Sequence, residues 1–150
     1  MLETLRRLFA YDAWAVARVL ATLKNSPSRK ALALLAHLLV SERIWLLRVQ
    51  GQDTSQVNKS PDIQLDECES LSRETARAYT DFLGSIKEED LAAPITYRNF
   101  KGEEYHTPLG EILLHVANHG TYHRGQIALT LRAEGVTPVD TDFITYVRQS

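Results

Sequence analysis

Leu5, Leu8, Phe9, Ala13, Val16, Val19, Leu20 and Leu23 recur at three- and four-residue steps, with Arg6, Arg7 and Arg18 falling between them. That period predicts an amphipathic helix over residues 2–23. Asn25-Ser26-Pro27-Ser28 breaks it, and Ser26 is expected to cap a second helix whose first residue is Pro27, where a missing N–H costs nothing. The second helix is expected over about residues 27–50, with Leu34, Leu35, Leu38, Ser41, Trp45 and Val49 as its buried stripe, His37 beside that stripe and Gly51 as its stop. Residues 50–64 are polar and hold Gly51, Ser60 and Pro61, so they read as a long connection that permits a crossover along a bundle. Cys68, Leu71, Thr75, Tyr79, Phe82 and Ile86 restore helical spacing over about residues 65–86.

The period then changes. The runs 95–100 and 103–106 flank Lys101-Gly102 and predict a small β-hairpin. Thr107 and Pro108 are expected to open a fourth helix as cap and first residue, running to about Glu134 and stopping at Gly135. The tail, 137–150, has the composition of a short docking helix. Four long amphipathic helices predict an all-α fold, a four-helix bundle forming one domain over residues 1–150.

Composition narrows the function. An apolar fraction of 44% and a charged fraction of 24% are ordinary for a globular domain. Seventeen basic against nineteen acidic residues give a net charge of −2 with no basic block, which argues against a nucleic-acid surface. No stretch reaches the ~18 uncharged apolar residues of a spanning helix, and the N-terminus lacks the pattern of a signal peptide. A membrane role is therefore not expected. The single cysteine, Cys68, excludes an internal disulfide and a multi-thiolate zinc site; it is expected to be a buried apolar residue, consistent with a cytoplasmic location.

The candidate chemistry lies in the fourth helix. His115, His119 and His123 are three of the five histidines, at strict four-residue spacing. Neighbours in such a series can turn their rings to one point, but His115 and His123 stand about 12 Å apart along the axis, so the helix offers one metal-binding pair. Ile112, Val116, His119, His123 and Ile127 follow one apolar line, which favours His119 with His123. A buried imidazole without a partner costs a few kcal/mol, a cost that a metal offsets; hydrogen-bonded histidines would satisfy the same spacing. His37 is the best third ligand, giving a three-imidazole site with an open position. Such a metal lowers the pKa of bound water toward about 7 or accepts a thiolate. Gly-Thr-Tyr between the pair lacks the zinc-protease glutamate. Gly120 and Gly125 flank the pair and would let a backbone or ligand come close. Asn118, Tyr122 and Gln126 are candidates to orient the ligand rings, with solvated surface as their simpler role, and Arg124 reads as a solvated charge or an attractor of anions. His115 reads as a helix-face residue, and His106 has no evident partner.

Four segments carry a family resemblance over nearly the whole chain. Tyr11-Asp12-Ala13-Trp14-Ala15, the second-helix run from Ala36-His37 to Glu42 and Trp45, the run from His115 to Gln126, and the tail Gly135-Val136-Thr137-Pro138 with Asp142-Phe143-Ile144-Thr145-Tyr146 resemble the DinB family of damage-inducible, YfiT-like metalloenzymes. Asp12 and Val16 depart from the family by standing where many members carry Asn. The resemblance implies an up-down-down-up bundle with its long connection between the second and third helices, often a homodimer. It implies His37, His119 and His123 as ligands of a divalent metal, zinc or nickel. Relatives with assigned activity include S-transferases that use low-molecular-weight thiols and a mycothiol-dependent maleylpyruvate isomerase; the translesion polymerase that shares the family's name is unrelated. Two functions are therefore expected: a metal-dependent thiol S-transferase or hydrolase acting on a small electrophilic molecule, or a stress-associated metal-binding or interaction protein without turnover. No general base or other catalytic side chain can be named from the sequence.

Overall fold

The computed structural model describes residues 1–149. Helix α1 spans Leu2–Asn25, α2 Arg29–Val49 and α3 Leu65–Ser85; a 3-10 turn, Glu88–Ala92, leads into strand β1, Pro94–Arg98, which pairs antiparallel with β2, Glu104–Pro108. Helix α4, Leu109–Ala133, and a short α5, Phe143–Arg148, complete the chain. The fold is thus mostly helical with one two-stranded hairpin. Among the described residues no helix is long and apolar enough to cross a membrane.

Helix α2 packs against α4 and α3, and α1 against α3 and α4. One apolar cluster joins Val16, Val19, Leu20 and Leu23 of α1 to Ala31, Leu35 and Leu38 of α2, Cys68 of α3, and Ile127 and Leu131 of α4. A second joins Leu2 and Leu5 to Leu46 and Val49, Tyr79 and Leu83, and Leu109, Ile112, Leu113 and Val116. Each cluster therefore collects one end of every long helix. Cys68 is fully buried as expected, and burial pushes its thiol up to about 11, leaving no reactive thiolate at neutral pH.

Two helix starts differ from the sequence expectation. Ser28, not Ser26, caps α2: its Oγ accepts from the Ala31 N–H at 3.1 Å, and Pro27 lies outside the helix. Both serines satisfy the local rule, and the Ser28 cap places Ala31 in the core. Thr107 and Pro108 do not open α4. They belong to β2, opposite Ile95 and Pro94, and α4 starts at Leu109, whose N–H donates to the Ala93 carbonyl at 2.9 Å. Cross-strand pairing thus overrides a local cap signal. The hairpin turn is fixed by Asn99, whose Oδ1 accepts from the Lys101 and Glu103 N–H groups, with Gly102 at φ +83. The tail is anchored where the Tyr11 hydroxyl donates to the Thr141 carbonyl at 2.7 Å and the Phe143 ring meets Tyr11 edge-on.

Candidate metal centre

Where α2 faces α4, His37 from the first meets His119 and His123 from the second. Their ring centroids stand 6.1 Å (His37–His119), 4.9 Å (His37–His123) and 4.3 Å (His119–His123) apart. One ring nitrogen of each lies within 4.8 Å of the others. His123 is buried at 8% exposure, while His37 and His119 are half-buried. His115, one turn back, lies outside the trio: it is exposed, with its ring edge-on to Trp45 at 5.2 Å. Asn118 donates to its own helix at the Leu114 carbonyl, and Tyr122 is 65% exposed with its ring 5.2 Å from His123. His106 sits on the hairpin against the Thr96 hydroxyl, away from the cluster.

Gln126, one turn after His123, sets that ring. Its Oε1 lies 2.7 Å from His123 Nδ1. An amide oxygen only accepts, so Nδ1 carries the proton and Nε2 keeps its lone pair. That Nε2 faces His119 Nε2 at 3.0 Å. Two nitrogens on one tetrahedral ion at zinc–imidazole bond lengths would stand about 3.3 Å apart, close to the observed spacing, which without metal is that of a hydrogen bond from His119 Nε2–H to His123 Nε2. Burial, reinforced by His123, His115 and His37, pushes His119 down to about 4, and burial also lowers His123. Both rings are therefore neutral at pH 7, the state that binds metal. Truncating the orienting amide in Gln126→Ala is expected to weaken metal affinity about 10–100-fold, as read by chelator competition.

The same shift sets an acid limit. Unfolded His119 takes up a proton near 6.5, whereas in the fold it resists protonation down to about 4. The unfolded chain then binds more protons across that window, so stability falls as pH drops through it. Urea midpoints of chelator-treated protein should decline between pH 6.5 and about 4, and His119→Gln should flatten that decline.

One residue further along α4, a second pair at four-residue spacing faces α1 instead of α2. Arg124 is 3% exposed and forms a buried ion pair with Asp12, which is 8% exposed. The solvated role expected for Arg124 is therefore corrected. Gly120 makes the pairing possible, since a Cβ there would overlap Asp12 Oδ1 and come within 2.9 Å of Arg124 Nη1. Gly125 has open space where its Cβ would stand. Burial alone would lower the Arg124 pKa, but Asp12 and Tyr11 beside it hold it above the ordinary value. Behind Asp12, burial and the Asp12 charge keep the Glu42 carboxyl protonated well above the usual carboxylate range. A neutral acid tolerates the partnerless position of Glu42 Oε1 better than a carboxylate would. Because unfolded Glu42 ionises near 4.5 and the folded residue does not, its contribution to stability falls as pH rises above that value. Glu42→Gln should accordingly raise the melting temperature at pH 7 but not at pH 4, as measured by scanning calorimetry. Sequence reading missed this cluster; the one available signal was Asp12 among the apolar positions of α1.

A mostly helical fold that brings one histidine of the second long helix to a His-x-x-x-His pair of the fourth forms a cluster that could hold a metal ion. The chain belongs to the DinB family, whose model matches residues 11–150. It is 28% identical over 160 aligned residues to Protein DinB of Bacillus subtilis (strain 168), an alignment covering 94% of this chain and 92% of that protein.

Proposed function

We propose that the protein binds one divalent metal ion through His37, His119 and His123, and uses it as a thiol S-transferase or hydrolase on a small electrophilic molecule. The observation that carries this is the convergence of three ring nitrogens within 4.8 Å, from two helices, with no carboxylate or thiol among them. Three neutral donors leave the charge of a divalent ion uncompensated, which favours an anionic guest such as a thiolate or hydroxide. Bound there, zinc or nickel would supply Lewis acidity, lowering the pKa of a thiol or water at neutral pH. The chain's own part is to orient His123 through Gln126, hold the rings neutral, and leave His37 and His119 half-open to solvent. The collection of opposite helix ends in two apolar clusters supports an up-down-down-up bundle around this site. We also read the protein as a homodimer, following the family resemblance, and as cytoplasmic, following its single unpaired cysteine.

A second reading, metal binding without turnover, draws on the position of a wide groove. That groove, of about 740 Å³, lies between residues 23–36 and the connection at residues 61–65, and none of the three histidines lines it. The test is metal analysis of protein purified without an affinity tag, in parallel with His119→Ala, followed by screening low-molecular-weight thiols and electrophiles on the metal-loaded protein. Near-stoichiometric metal in the parent alone, with thiol-dependent turnover, supports the transferase. Metal without turnover supports the second reading, and equal trace metal in both proteins defeats both.

A further inference from the structure

We propose that Arg48 forms a receptor for an oxyanion, the carboxylate or phosphate end of the molecule that reacts at the neighbouring histidine cluster. A buried guanidinium is ordinarily paired with a carboxylate, because desolvating an unmatched charge is costly. Arg48 breaks that rule. It is 7% exposed, its one hydrogen bond among the described residues runs from Nε to the Thr54 hydroxyl at 3.3 Å, and no carboxylate pairs with it. Three rings hold it instead: the guanidinium carbon lies 4.7 Å from the Trp45 ring, 5.3 Å from Tyr97 and 5.2 Å from Phe100. Aromatic faces attract the cation and fix its plane but offer no acceptor to its four remaining N–H donors, and its terminal nitrogens are not among the enclosed, unpartnered atoms of the described residues.

Those donors have somewhere to go. Arg48 lines a groove of about 250 Å³ between the turn after α2 and strand β1. Both carboxylates on the groove are occupied elsewhere. Asp53 accepts from the N–H and hydroxyl of Ser55, and Glu104 accepts from Arg98 at 3.1 Å. Lys59 adds positive charge nearby, its Nζ 4.3 Å from the Phe100 ring. A planar guanidinium fork with an open side matches a carboxylate or phosphate in bidentate geometry.

The groove and the histidine cluster share one side of the molecule. Arg48 follows His37 by eleven residues, about three turns, so the two stand within roughly 20° on α2 and about 16 Å apart along it. Trp45, beneath Arg48, also meets His115, whose ring lies 5.5 Å from His119. An extended small molecule with an anionic end on Arg48 would therefore reach toward the proposed metal. The substrate assignment rests on the function proposed above; the oxyanion site does not.

The experiment titrates acetate and, separately, inorganic phosphate into chelator-treated full-length protein, following the Arg48 Nε–H and Trp45 indole N–H resonances by NMR. A saturable shift with acetate identifies a carboxylate receptor, one with phosphate a phosphate receptor, and either supports the site. Arg48→Gln should abolish saturation, and Arg48→Lys, which keeps the charge but loses the fork, should weaken it about tenfold. Metal affinity, measured on the same samples, should be unchanged in both variants. Absence of saturation by either anion in the parent protein overturns the proposal, as does equal affinity in Arg48→Gln. If anion binds and metal does not, the oxyanion site stands and the metal-centred function fails; the reverse result removes the oxyanion site alone.

Discussion

Gly120→Ala is expected to destabilise the protein by about 2–4 kcal/mol, whereas Gly125→Ala, five residues on in the same helix, should stabilise it by about 1 kcal/mol. Local propensity treats the two positions alike, since a helix-interior glycine costs about 1 kcal/mol relative to alanine. Their surroundings reverse the sign. Nothing lies within 4 Å of the Cβ position at Gly125, but at Gly120 the new methyl would occupy the place of the Asp12 carboxylate. Asp12 is short, sits inside α1 and is buried, so it cannot swing clear while keeping Arg124. Separating a buried ion pair costs about 3–5 kcal/mol, because each charge is left without compensation, and the gain in propensity offsets only part of that. Urea unfolding at pH 7 decides the matter: an unchanged or higher midpoint for Gly120→Ala would show that the pair tolerates the methyl.

The second large effect concerns the histidines themselves. His123→Ala and His119→Ala should each lower metal affinity a hundredfold or more, while His115→Ala should leave it nearly unchanged. Structural zinc sites with four ligands contribute about 10–16 kcal/mol, so one ligand accounts for roughly 2.5–4 kcal/mol, about two to three powers of ten. Stability should report the same loss, since free metal at a hundredfold excess over its dissociation constant adds about 2.7 kcal/mol to a protein that binds it only when folded. Chelator competition and thermal unfolding with and without zinc check both. A large loss in His115→Ala, equal to that in His123→Ala, would move the site one turn along α4.

The long helices were legible because each buries a face at helical period, and the hairpin because Lys101-Gly102 separates two extended runs. The spacing of His119 and His123 and the apolar line they follow pointed to the pair. What escaped was pairing between distant segments. Asp12 and Arg124 are 112 residues apart, and each alone looks like a charge for water. Arg48 escaped for the same reason, since the Tyr97 and Phe100 rings around it come from the hairpin. Helix starts erred where two local solutions competed: Ser26 and Ser28 both suit a cap, and Thr107-Pro108 suits a cap until β1 claims it as a strand.

His119 with His123 and Gly120 with Arg124 interleave along α4, the first pair turned to α2 and the second to α1. Deleting a single residue from the helix ahead of them would rotate everything downstream by about 100°, carrying the guanidinium round toward His37 and the imidazoles out of reach. Chain length between the hairpin and Gly120 should consequently be held far more strictly than the identity of exposed residues such as Glu111 or Asn118.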